Sequence, residues 1–185
     1  MQEARNHSLK IKQEAEELLK ATYLQKLLEE YGEVNLGGSF AYNLMVDRDL
    51  DFGVAVKEIT PEIRAKIAST FTSQSWAYGI NMTDRVNFEP LSNLGAPRGL
   101  YLGLTIPFPK ERWNIDVWFT VGNDLPEDKI GQMISSATQN QKDTMLQIKY
   151  ELMRNGKKEK GITSAEVYTA VLNEDIQTTE QFLHK

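Results

Sequence analysis

A chain of 185 residues, 41% of them hydrophobic, is long enough for one globular core with a small appendage but not for two full domains. It has no cysteine, which excludes disulfides, thiolate zinc sites and cysteine nucleophiles, and its formal charge of −5 argues against the broad cationic face that long nucleic acid requires. No apolar run reaches the roughly 20 residues of a spanning helix, and the opening MQEARNHSLKIKQEAEELL lacks the apolar block of a secretory signal, so a cytoplasmic protein without membrane attachment is expected.

From Ser8 to Tyr31, the residues Ile11, Ala15, Leu18, Leu24, Leu28 and Tyr31 recur among Glu and Lys and predict one long amphipathic helix ended by Gly32. His7 lies in the N-terminal arm ahead of this helix and His184 next to the last residue, so histidine-centred catalysis is not expected. Val34 to Leu36 reads as a short strand running into Gly37 and Gly38, with Ser39 capping a helix through Ala41, Leu44 and Met45. Residues 49–56 then alternate: Leu50, Phe52, Val54 and Val56 on one face, Asp49, Asp51, Gly53 and Ala55 on the other.

Thr60 before Pro61 starts a helix continued by Ile63, Ile67 and Phe71. Strands are expected from Tyr78 to Phe88, over Leu100, Leu102, Leu104 and Ile106, and over Ile115, Val117, Phe119 and Val121, the last two joined as a hairpin by PFPKER. Pro126 opens a helical region reaching about Arg154, the loop NGKKEKG follows, and Thr163 with Glu166 forms a capping box for a helix through Val167, Val171 and Leu172; Thr178 and Gln181 repeat the signal. The order implies an α+β (α/β-like) fold, a mixed twisted sheet flanked by helices. Residues 1–125 form its core and 126–185 a helical extension packed on it.

Asp47, Asp49 and Asp51 raise the question of chemistry. A solvated acidic turn is one reading, but Asp49 and Asp51 share a strand face whose opposite side is wholly apolar. A calcium loop is a second, with Glu58 at the twelfth position; Phe52 stands where that loop needs glycine. Neither G-x-x-x-x-G-K-[ST] nor G-x-G-x-x-G occurs. The remaining reading joins two half-sites. Backbone N–H groups of the Gly38-Ser39 turn suit phosphate, and paired carboxylates on the next strand suit Mg²⁺. Asp116, the lone acid in the apolar strand WNIDVWF, is the candidate third carboxylate.

These pieces resemble the signature of the DNA polymerase β-like nucleotidyltransferase superfamily: Gly38 and Ser39, a nine-residue spacer, Asp49-Leu50-Asp51-Phe52, and later Ile115-Asp116-Val117. The resemblance spans roughly residues 33 to 121. It implies transfer of a nucleoside monophosphate, with ATP the expected donor, to an acceptor hydroxyl with release of pyrophosphate. It implies that Gly38 and Ser39 bind the nucleotide's phosphates, that Asp49 and Asp51 ligate two Mg²⁺ ions (Mn²⁺ being a substitute), and that Asp116 ligates one and takes the acceptor's proton. The acceptor could be a small molecule, a protein or an RNA, and the oligomeric state is not indicated.

Some residues depart from that signature or lie outside it. Arg48 could touch phosphate but reads better as a surface residue; Lys142 and Lys149, seven apart on one helix, could reach a triphosphate but read better as a solvated pair. Arg98 and Tyr101 could line an acceptor pocket, Tyr101 equally serving strand packing. The competing function is a catalytically silent nucleotide-binding or protein-interaction module of the same fold.

Overall fold

A computed structural model of the chain describes residues 1–86, 98–122, 129–156 and 161–185. The expected helix start at Pro126, the strand end at Phe88 and the inner residues of the 155–161 loop lie outside these. The chain falls into two compact units, one made of Met1–Glu14, Gly38–Asp47 and Asp128–Lys185, the other of Ala15–Gly37 and Arg48–Glu127. No helix among the described residues is long and apolar enough to cross a membrane.

Helix α1 (Gln2–Thr22) buries Ala4, Ser8, Ile11, Ala15, Leu18 and Thr22, a stripe at alternating four- and three-residue spacing. The single helix expected as far as Tyr31 is broken. Tyr23 sits at φ 52, in the left-handed region, and α2 (Leu24–Glu29) follows it. The reason is legible in the spacing: Leu18 to Leu24 is a step of six, which a continuous helix would carry to a different face, so the chain re-registers to bury Leu24 and Leu28. The Thr22 hydroxyl donates to the Leu18 carbonyl and accepts from the Leu24 N–H, satisfying groups freed at the break.

Gly32 does not end a helix by adopting a left-handed conformation, as the pattern suggested. It lies past α2, where a Cβ would come within 1.9 Å of the Ala55 carbonyl oxygen. Its missing side chain lets β1 (Glu33–Leu36) meet β2 (Asp49–Val56) antiparallel, Glu33 opposite Ala55.

The second unit holds a five-stranded mixed sheet in the order β1-β2-β5-β4-β3. β3 (Gly79–Asp84) and β4 (Leu100–Pro107) pair antiparallel, as do β4 and β5 (Arg112–Val121), whereas β2 and β5 run parallel. Alternation sends Leu50, Phe52, Val54 and Val56 of β2, Leu100, Leu102, Leu104 and Ile106 of β4, and Trp113, Ile115, Val117 and Phe119 of β5 into the core on one face. Helix α4 (Pro61–Thr72) buries Ile67 and Phe71, its first turn capped by the Thr60 hydroxyl, which accepts from the Ile63 N–H. An Arg64–Asp84 ion pair ties α4 to β3.

The first unit is helical. Between α1 and β2 it holds the short α3 (Gly38–Ala41), and beyond the sheet α5 (Lys129–Ser136), α6 (Gln139–Arg154), α7 (Ser164–Asn173) and α8 (Thr179–Leu183). The helical run expected up to Arg154 is two helices, because Thr138 turns extended and forms a capping box with Gln141 that starts α6 afresh. The same device starts α7 at Thr163 and α8 at Thr178, both at the anticipated residues. Met145, Ile148 and Leu152 of α6 pack with Val167, Ala170 and Val171 of α7 and with Leu44 and Val46 in one buried cluster.

Candidate active site

The half-buried face of the sheet is a grid set by strand register. Asp51 of β2 stands opposite Asp116 of β5, and Asp116 stands opposite Gly103 of β4, which faces Asn81 of β3. The next row holds Asp49, Asn114, Thr105 and Gly79; the one beyond on the other side holds Gly53, Trp118, Tyr101 and Thr83. Three carboxylates therefore lie on one face of two adjacent parallel strands, which stand about 4.8 Å apart. The strands take this order because β5 is apolar on its other face throughout and can occupy the sheet's centre.

An open trough of about 430 Å³ runs across this face. Asp49 and Asp116 line it together with Asn81, Tyr101, Gly103 and Asn114; Asp51 does not. The Tyr101 hydroxyl donates to Asp116 Oδ1 at 2.6 Å, and burial, then the bond to Asp116, pushes the phenol's pKa well above its usual value. The ring leans on Trp118, centroids 5.1 Å apart, and the Arg85 guanidinium lies 5.3 Å from the Trp118 ring. Tyr101 is thus more than strand packing. Arg98 instead donates to the Val86 carbonyl, at 3.4 Å.

The donor set suits Mg²⁺ in kind, being all carboxylate oxygen on neighbouring strands. Among the described residues, however, no three or more His, Cys, Asp or Glu side chains are gathered into a metal-holding group. One oxygen of Asp116 is already engaged by Tyr101. Because Mg²⁺ commonly takes only one or two protein carboxylates and completes its shell with substrate phosphates and water, the strand placement fits such an ion.

Gly38 and Ser39 belong to the helical unit. Gly38 has φ +58, a conformation that favours glycine, and Ser39 lies within the first turn of α3 rather than ahead of it. The expected continuation of this helix through Leu44 and Met45 is cut short by Asn43. At φ 58 it lets its own N–H reach the Phe40 carbonyl and the Leu44 N–H reach that of Ser39, a helix-terminating pair of bonds. Gly37, in the sheet unit, donates its N–H to the Asp51 carbonyl at 2.9 Å.

Two residues that hold the segment after α3 take a place the sequence did not predict for them. Lys149 is not solvated: it is 2% exposed, and its Nζ donates to the Leu44 carbonyl at 2.6 Å and the Tyr168 hydroxyl at 2.8 Å. Its place was visible in the pattern, four residues after Met145 and three before Leu152 on the buried stripe of α6. His7 Nε2 bonds the Val46 carbonyl at 2.8 Å, its ring against Tyr150. Lys142 lines a separate recess of about 330 Å³ with Arg5, Lys12, Asn43 and Asp143. Asp47 also falls in the helical unit, ahead of β2, and Arg48 meets β5 through its carbonyl, which accepts from the Asn114 N–H.

No family model and no curated protein matches the sequence. Among solved structures, that of the GLD-2/RNP-8 complex contains a similar chain, with a TM-score of 0.56 and 13% identity over 92% of this chain and 63% of that one. At that identity the likeness is one of fold alone. The α+β architecture expected from the sequence, a mixed sheet flanked by helices, is the one observed. This chain spans less than two thirds of that similar chain's length.

Proposed function

We propose that this protein is a nucleotidyltransferase that moves a nucleoside monophosphate, AMP from ATP in the first instance, onto an acceptor hydroxyl. The observation that carries the reading is the register of β2 and β5, which sets Asp51 beside Asp116 with Asp49 on the same face. The fold likeness supports it without extending to substrate. Asp49 and Asp51 hold a pair of Mg²⁺ ions and Asp116 binds one of them. When bound, Mg²⁺, or Mn²⁺ in its place, offsets the charge of the phosphates and acidifies the acceptor hydroxyl. Asp116 orients that hydroxyl and takes its proton as the oxygen bonds to the α-phosphorus and the bond to the pyrophosphate oxygen breaks. The turn at Gly38 and Ser39 offers N–H donors to the phosphates.

The test is incubation with labelled NTPs, Mg²⁺ and cell extract, following both pyrophosphate release and the molecule that becomes labelled. Transfer is expected from one NTP and is expected to fall to background in Asp51→Asn, with the fold retained by circular dichroism. Near-normal turnover in that variant would remove Asp51 from the site. A second reading, a silent nucleotide-binding module, draws on the bond that ties up Asp116 and on the ungathered carboxylates. Thermal stabilisation by ATP with no pyrophosphate released, whatever the acceptor, would establish it instead.

A further inference from the structure

Tyr101 and Gly103 act as one device on Asp116. They are alternate residues of β4, so both point to the carboxylate face, and Gly103 is the residue directly opposite Asp116. A Cβ on Gly103 would stand 2.7 Å from the Tyr101 hydroxyl oxygen and 3.1 Å from the ring carbon that carries it. The phenol therefore lies along its own strand over the space a side chain would take, and this posture brings its hydroxyl to Asp116 Oδ1. Trp118, opposite Tyr101 in the same register, supports the ring from the side. A tyrosine that only packed the sheet would need neither the glycine nor the carboxylate.

We propose that Tyr101 is a positioning residue for Asp116, with Gly103 as the vacancy that admits it, and that the hydroxyl holds one carboxylate oxygen so that the other is presented to a divalent cation. The inference rests on the metal-binding role given to Asp116 above. A carboxylate has about four acceptor sites on its two oxygens, so one hydrogen bond leaves capacity for a cation. Fixing its rotation removes disorder that binding would otherwise have to remove, and loss of such an outer partner typically lowers metal affinity about 10- to 100-fold. The hydroxyl touches neither nucleotide nor acceptor in this scheme.

The experiment is Mn²⁺ binding, by electron paramagnetic resonance of the free ion, to the full chain and its Tyr101→Phe, Gly103→Ala and Asp116→Ala variants. A parallel thermal-unfolding cycle of Tyr101→Phe with Asp116→Ala runs in chelator. Tyr101→Phe keeps the ring on Trp118 and is expected to weaken Mn²⁺ about 10-fold or more, Gly103→Ala to do the same, and the two together to add little. In the metal-free cycle the two positions are expected to be coupled. If Asp116→Ala weakens Mn²⁺ but Tyr101→Phe leaves it unchanged, the positioning role is overturned while the metal site stands. Tighter binding by Tyr101→Phe also overturns the role, showing that the hydroxyl competes with the cation. If Asp116→Ala binds as wild type does, or wild type does not bind, the metal role of Asp116 and the inference both fall.

Discussion

At the scale of single residues, polarity and period placed the acids on the correct face, whereas burial of charge was read less well. Lys149 shows why. A lysine seven residues from another on a polar-looking helix suggests a solvated pair, yet Lys149 lies within the apolar stripe and ends on two oxygens, the Leu44 carbonyl and the Tyr168 hydroxyl. Its ammonium also sits 5.1 Å from the Tyr168 ring centroid. Lys149→Met keeps most of the stem's volume but removes the donor from the Leu44 carbonyl. That change is expected to lower stability by about 1–3 kcal/mol, read from urea unfolding midpoints at unchanged slope. The Lys142→Met substitution, on the rim of an open recess, is expected to stay within about 0.5 kcal/mol of wild type. Equal effects at the two positions would contradict the buried role of Lys149.

Among the elements, the strictly alternating strands were legible to within a few residues. β2 is Asp49–Val56 as expected, and the Thr60-Pro61 and Thr163-Glu166 signals mark real helix starts, because caps and alternation are local in sequence. What failed was continuity. The breaks at Tyr23, Asn43 and Thr138 turn on where the chain must next bury a residue, which a run of helix formers does not reveal. Strand neighbours were also beyond the sequence: nothing local says that β5 inserts beside β2, and that order is what sets Asp51 against Asp116. Gly32 is the sharpest case of a residue read for the wrong reason. Gly32→Ala puts a methyl 1.9 Å from a backbone oxygen of β2, so it is expected to destabilise by about 3 kcal/mol or more. Gly37→Ala, whose nearest atom is 4.0 Å away, should be tolerated, and heat denaturation of the pair checks the contrast.

For the whole molecule, net charge and the absence of cysteine constrained chemistry rather than fold, and they leave the response to acid as the clearest global consequence. Asp143 of α6 accepts from Arg5 Nε at 3.1 Å and from its terminal nitrogen, and also from Gln139 at 3.1 Å; the Arg5 hydrogen bonds chiefly hold its carboxyl below the usual carboxylate range. Glu166 is held down as well, first by the Thr163 backbone N–H. Each binds a proton more readily in the unfolded chain than in the folded one. Their contribution is therefore fully present above the ordinary carboxylate range, near pH 4, and is lost as pH falls through the depressed folded values. Asp143→Asn removes one of these groups from the titration. Its melting temperature is expected to lie below that of wild type at pH 7, and the gap to narrow as pH falls below about 4, where the unfolded carboxyl starts to bind protons, closing fully only below the depressed folded value. A gap that stayed constant between pH 7 and pH 3 would show that the Arg5–Asp143 contact contributes through packing and not through charge.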